Sequence, residues 1–242
     1  MKQRSTRPLH RWHRHAGVSA AALLIYLVLT GLPLQYSGEL GLGGRHVSWA
    51  PVLDWYGLEA PSTVVTSGRI AAVGDEIFTE QGHLTTLPGF LGAVATNGLL
   101  AAAGTTEVVL LTNDALEPVE RLSLPHSAAG LGSWQGQPVL RTSQGILVAD
   151  ADLVNWHSSA LSEAEVSWVR TDSLEGPAAA PFRALYRQRM LTLERALQDL
   201  HSGRFFGTAG ALILDAASLL LVFLAISGLV MWGRYSTSRS RR

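Results

Sequence analysis

The residues of this chain whose types could do chemistry are histidines, and one acid, placed at the edges and in the middle of two apolar stretches. In "LHRWHRHAGVSAAALLIYLVLTGLPLQYSGEL" (residues 9–40), His10, His13 and His15, with Trp12, stand directly before an uncharged run. His201 precedes a second run, "FFGTAGALILDAASLLLVFLAISGLVMW" (205–232), which contains Asp215. Imidazole nitrogens ligate haem iron or a transition metal, and the identity of any metal is left open by the residues alone. Bis-histidine ligation needs two imidazoles on facing helices at one membrane depth. A carboxyl group in mid-membrane costs about 2.5–3.5 kcal/mol on insertion scales, so Asp215 marks either a proton or cation site or a hydrogen-bonded carboxyl turned toward Tyr26 or Thr30. The chain has no cysteine, which excludes disulfides, thiolate-held zinc, iron–sulfur clusters and C-x-x-C-H haem attachment.

The elements that must position these groups follow from hydropathy and charge. Residues 16–36 carry no charge, and at roughly 1.5 Å per residue they cross a hydrocarbon core of about 30 Å. The run is longer than a signal-peptide core and continues into Pro33, Gln35 and Tyr36, so it reads as an uncleaved transmembrane helix. Residues 205–232 read as the second span. The tails 1–15 and 233–242 hold Lys and Arg without an acid, which places both in the cytoplasm. Between the spans, in residues 37–180, five arginines stand against sixteen Asp and Glu, although the whole chain has a formal net charge of zero. Such an acidic exported domain repels phosphate, so nucleic acid is excluded as a partner. With both helices spanning, His10 and His13 at one face and His201 at the other cannot hold one iron within a chain. A homodimer pairs each with its symmetry mate, and His46, soon after span one, is an alternative ligand at the outer face. The rival reading makes the histidines and Trp12 membrane-edge anchors.

From Val64 to Trp156 the chain reads as short β runs between Gly, Asn and Asp turns, among them "RIAAVGDEIFTE", "TEVVLLTND" and "QPVLRTSQGILVAD". The stretches from Leu91 and Leu131 overlay at a spacing of about 40, the period of four-stranded blades. Two or three such units fit, packed as a short sandwich or, alternatively, completed into a ring by a second chain. Residues 173–181, "SLEGPAAAP", read as a linker, and 181–203 as an amphipathic helix lying on the membrane interface and turning at Gly203 or Gly207. The fold class expected is therefore a membrane protein of α+β type, a hairpin of two transmembrane helices flanking an all-β exported domain with blade-like repeats. Small residues on both spans (Ala20, Ala21 and Gly31; Gly203, Gly207, Gly210 and Ala211) suit close helix packing. The partners expected are the lipid bilayer and a homodimer or larger membrane complex.

Both ends resemble a known family. "LHRWHRHAGVSAAALLIYLVLTGLPLQYS" resembles the first-helix signature of PepSY-associated transmembrane proteins, and "LQDLHSGRFFGTAGALILDAASLLLVFLAISGLVMW" is similar to their closing helix. The resemblance implies a bacterial inner-membrane location. Some larger relatives resemble b-haem ferric-siderophore reductases, which implies haem b, electron transfer and iron uptake, with His13 and His201 as ligands. The chain departs from those reductases in having two spans where they have about four, and it shows no PepSY module between them. The alternative function is a non-catalytic anchor whose β domain binds, regulates or stabilises another envelope protein.

Overall fold

The computed structural model describes residues 7–239, with side chains from Gly17 to Leu229 and at Trp232. The chain forms two compact units, one from its two ends up to Val47 and from Leu191 onward, the other from Ser48 to Met190.

The unit of the two ends is helical: α1 (Arg7–Gln35), α4 (Leu193–His201) and α5 (Gly207–Arg239). Gly17–Gln35 and Arg204–Leu229 are long and apolar enough to cross a membrane, close to the expected 16–36 and 205–232. A short 3-10 turn, Arg204–Phe206, separates α4 from α5. It is flanked by Gly203 (φ 75°) and Gly207 (φ 73°), so both predicted turning points are used. The close glycine contact is local rather than between spans, because a Cβ on Gly203 would fall 2.5 Å from the Gly210 carbonyl oxygen.

The second unit holds α2 (Ala50–Trp55), fourteen strands and α3 (Gly176–Arg189). The strands make three antiparallel sheets. The first runs β14-β1-β2-β3-β4, from Asp172–Leu174, Val64–Ser67, Ile70–Val73, Glu76–Thr79 and Gly82–Thr86. The second runs β5-β6-β7-β8, from Gly92–Thr96, Leu99–Ala103, Glu107–Thr112 and Pro118–Ser123. The third runs β12-β11-β10-β9-β13, from Trp156–Ser159, Gly145–Ala149, Gln137–Thr142, Ala128–Trp134 and Ser167–Trp168. The faint repeat is thus a real meander. Its two-residue turns Asn97-Gly98 and Gln135-Gly136 both have positive φ at each residue, as a type I′ hairpin requires.

Sheet packing explains the uninterrupted apolar runs. Along β7, Val108 and Leu110 enter a core with Leu131, Leu140 and Leu147 of the third sheet, while Val109 and Leu111 enter one with Ile70 and Ile77 of the first. The middle sheet is buried on both faces, so "EVVLLT" needs no polar alternation. The outer face of the first sheet is covered by Ala179, Phe182, Leu185 and Tyr186 of α3, and that of the third by Leu161, Val166 and Trp168. One segment, 167–174, meets all three first strands: β13 pairs with β9, β14 pairs with β1, and Val169 packs against Gly92 of β5.

The single helix expected over 181–203 is two, and the expected linker is mostly the start of the first. Pro177 sits at the first turn of α3, where a missing N–H costs little, and burial of Ala179 and Phe182 on the sheet holds the helix over Pro181. Chain direction then breaks at Met190–Thr192, and the Thr192 side chain accepts from Arg195 N at 3.1 Å to cap α4. The strongly amphipathic helix before the second span is α4.

Candidate cofactor site

Tyr26, Thr30 and Gly31 share one face of α1 near its C-terminal end, four and five residues apart. Against this face lies the end of α4. The Tyr26 hydroxyl donates to the Leu200 carbonyl, one of the last α4 carbonyls that has no partner within the helix. Thr30 Oγ1 lies 2.9 Å from His201 Nδ1 and 2.9 Å from the Tyr26 carbonyl oxygen. A threonine hydroxyl carries one proton and accepts on its lone pairs, so Thr30 can donate to the Tyr26 carbonyl while accepting from His201, or donate to His201 Nδ1. In the first arrangement the neutral ring is the Nδ1–H tautomer, and in both no described residue engages Nε2. A ligating histidine has the first form: one ring nitrogen held by an oxygen acceptor, the other free for the iron or metal. Gly31 makes room for the ring, since a Cβ there would approach His201 Cε1 to 3.0 Å.

The remaining predicted site residues lie apart from this junction. His10 and His13 fall within α1, but their side chains are outside the described residues. Thr30, the partner of His201, is about 25 Å along α1 from His13 at roughly 1.5 Å per residue. His46 forms an isolated antiparallel bridge with Thr192. It therefore sits at the opposite end of α4 from His201, about 13 Å of helix away. Around it, Val47 N donates to Leu191 O at 2.9 Å and Leu193 N to Arg45 O at 2.8 Å, so this is where the two strands of chain leaving the unit are stapled together. Ser37 adds a hydrogen bond to Glu194 Oε1 at 3.1 Å.

Asp215 corrects one expectation. Tyr26 and Thr30 serve Leu200 and His201, and Asp215 is exposed on α5 with no partner among the described residues of α1. The break at Gly203 and Gly207 puts His201 on α4 and Asp215 on α5, so the two do not share a helix. Sequence reasoning also missed that Tyr26, Thr30 and Gly31 belong to His201. The signal was their i, i+4, i+5 spacing at the same end of the hairpin.

In the β unit His126 and His157 are exposed, whereas His83 is engaged. Its Nε2 lies 2.5 Å from Glu76 Oε2, and Arg189 Nε approaches the same oxygen at 3.5 Å. Burial pushes the His83 imidazole below its ordinary value and Arg189 adds to this, with Glu76 opposing both. The folded value thus lies below the unfolded one of about 6.5, so the stability His83 contributes is complete above about pH 6.5 and is lost as pH falls from there to the folded value. The expected result is that thermal stability of the wild type declines below about pH 6.5 more steeply than that of His83→Gln. A wild type that gains stability on acidification relative to the variant would show that the Glu76 pair dominates instead.

Among the described residues no three His, Asp or Glu side chains converge on a point that could hold a metal ion. No curated protein matches the chain significantly. The family model of the PepSY-associated TM region matches residues 1–234, which includes both apolar helices, the His201 junction and the β unit between them. The chain is a membrane protein and belongs to the PepSY-associated TM region family.

Proposed function

We propose that the protein is a haem-b or otherwise redox-linked accessory of the bacterial inner membrane, acting in iron (ferric-siderophore) reduction or uptake. The observation that carries this reading is the placement of His201, whose Nδ1 lies 2.9 Å from Thr30 Oγ1 and whose Nε2 no described residue engages. These residues would hold a haem through the His201 imidazole, and His201 of another copy would supply a second imidazole, because His13 and His46 of the same chain lie far along α1 and at the other end of α4. Bound by two imidazoles, b haem supplies one-electron transfer at a potential set by the ligands and their surroundings. Thr30 orients the ring through Nδ1, Gly31 leaves room for the ring against α1, and Tyr26 fixes the end of α4 against α1. Haem measured per chain in the purified full-length protein tests the reading: about one haem for two chains is expected, and a protein that retains none on purification and takes none up contradicts it.

Residues 1–15 and 233–242 are then cytoplasmic and 37–180 periplasmic, on the strength of the arginine-rich tails and the acidic interior. Alkaline phosphatase fused after residue 100 should be active, and an inactive fusion would overturn the orientation. The second reading, an anchor whose β domain binds, regulates or stabilises another envelope protein, is favoured by the β unit itself. It is a separately compact body with a cleft of about 490 Å³ lined in part by Arg69, Gln81, Asp114 and Phe182.

A further inference from the structure

The helix α5 lies almost bare: among its described residues up to Leu229 only Gly210 is buried. Its partly covered face runs through Gly210, Leu214, Ala217, Leu221 and Leu224. One residue further along, and so about 100° round the helix, runs a different stripe: Thr208, Ala211, Asp215, Ser218, Val222 and Ala225. Apart from half-covered Ala211, all of these are exposed. Their spacing alternates three and four, the repeat of a left-handed helix pair. Small and hydroxyl side chains on such a stripe let two backbones approach in a membrane and hydrogen-bond across the contact.

Asp215 makes this more than a row of small residues. It lies near the middle of the span, it has no partner among the described residues of α1, and hydrocarbon offers a carboxyl group neither donor nor acceptor. Ionisable side chains within spans almost always face another protein surface. We infer that this stripe pairs with the same stripe of a second copy of the chain. Two copies inserted in one sense present α5 in parallel, so the three-four repeat falls in register and Asp215 meets Asp215 at one depth. A protonated carboxyl both donates and accepts, so the pair satisfies itself without a foreign cation. Arg204 and Arg234, the basic residues flanking the apolar part of α5, lie near its ends and supply no charge at that depth. The pairing rests on α5 alone and stands whether or not His201 holds haem.

The chain has no cysteine, so single introduced thiols report without background. Full-length Ser218→Cys and Val222→Cys proteins in their membranes should cross-link to dimers on oxidation several-fold more than Ile213→Cys and Phe223→Cys, which lie on other faces of α5. In the Ser218→Cys protein, Asp215→Leu should lower the yield several-fold and Asp215→Asn, which still donates and accepts, should keep it. Equal yields at all four positions, no dimer at any, a product joined to a different protein, or a yield unchanged by Asp215→Leu would each overturn the pairing.

Discussion

A His201→Ala protein is expected to lose its b-haem absorption outright, and His201→Met to keep it at a shifted reduction potential, because axial-ligand identity is a main lever on potential. Both outcomes rest on an Nε2 that no described residue occupies and on the Thr30 hydroxyl orienting the ring through its 2.9 Å contact with Nδ1. Thr30→Val tests the orientation separately from the ligand. It keeps the shape of the side chain but removes the acceptor, and losing such a partner typically weakens a site by about 10–100-fold. Were His201 only an anchor at the membrane edge, His201→Ala would change stability by roughly 0.5 kcal/mol or less and leave any haem in place. Haem per chain in wild type, His201→Ala and Thr30→Val separates the two accounts, and equal content in all three would remove His201 from the site.

The second large effect concerns the stacked sheets. Leu140 of β10 is fully buried between the second and third sheets, among Leu110, Leu131 and Leu147. Leu140→Ala removes that packing and leaves a cavity that neighbours on two rigid sheets fill poorly, so a loss of about 3–5 kcal/mol is expected. Val119 of β8 is 57% exposed, and Val119→Ala should stay within about 0.5 kcal/mol. Denaturant unfolding of the two variants, followed by near-ultraviolet circular dichroism, measures the contrast. Similar midpoints would mean that the sheets do not share the continuous core described.

Much of this architecture is legible in the chain because its signals are local. The spans announce themselves by length and lack of charge, and Asn97-Gly98 marks a hairpin by chemistry that few other residue pairs supply, whereas Gln135-Gly136 takes the same turn without that signal. Sheet stacking was harder to read, since a run such as "EVVLLT" shows that both faces are buried without showing against what. Residues 173–181 look like a linker because Gly, Pro and Ala have no strong partner in sequence, yet 173–174 pair in β14 and 176–181 open α3, whose Ala179 packs on the first sheet. The site was half visible. His201 stood out, but which α1 residues meet it depends on where α4 ends relative to α1, a tertiary fact that also turned Asp215 away from Tyr26 and Thr30.

The central claim, that this chain is built to hold haem at His201, is met most directly by one spectrum. The purified, detergent-solubilised wild-type protein, reduced with dithionite, should show the sharp α band of a low-spin b haem. A flat spectrum from protein that was expressed with ample haem would contradict the claim and leave the anchor reading in its place.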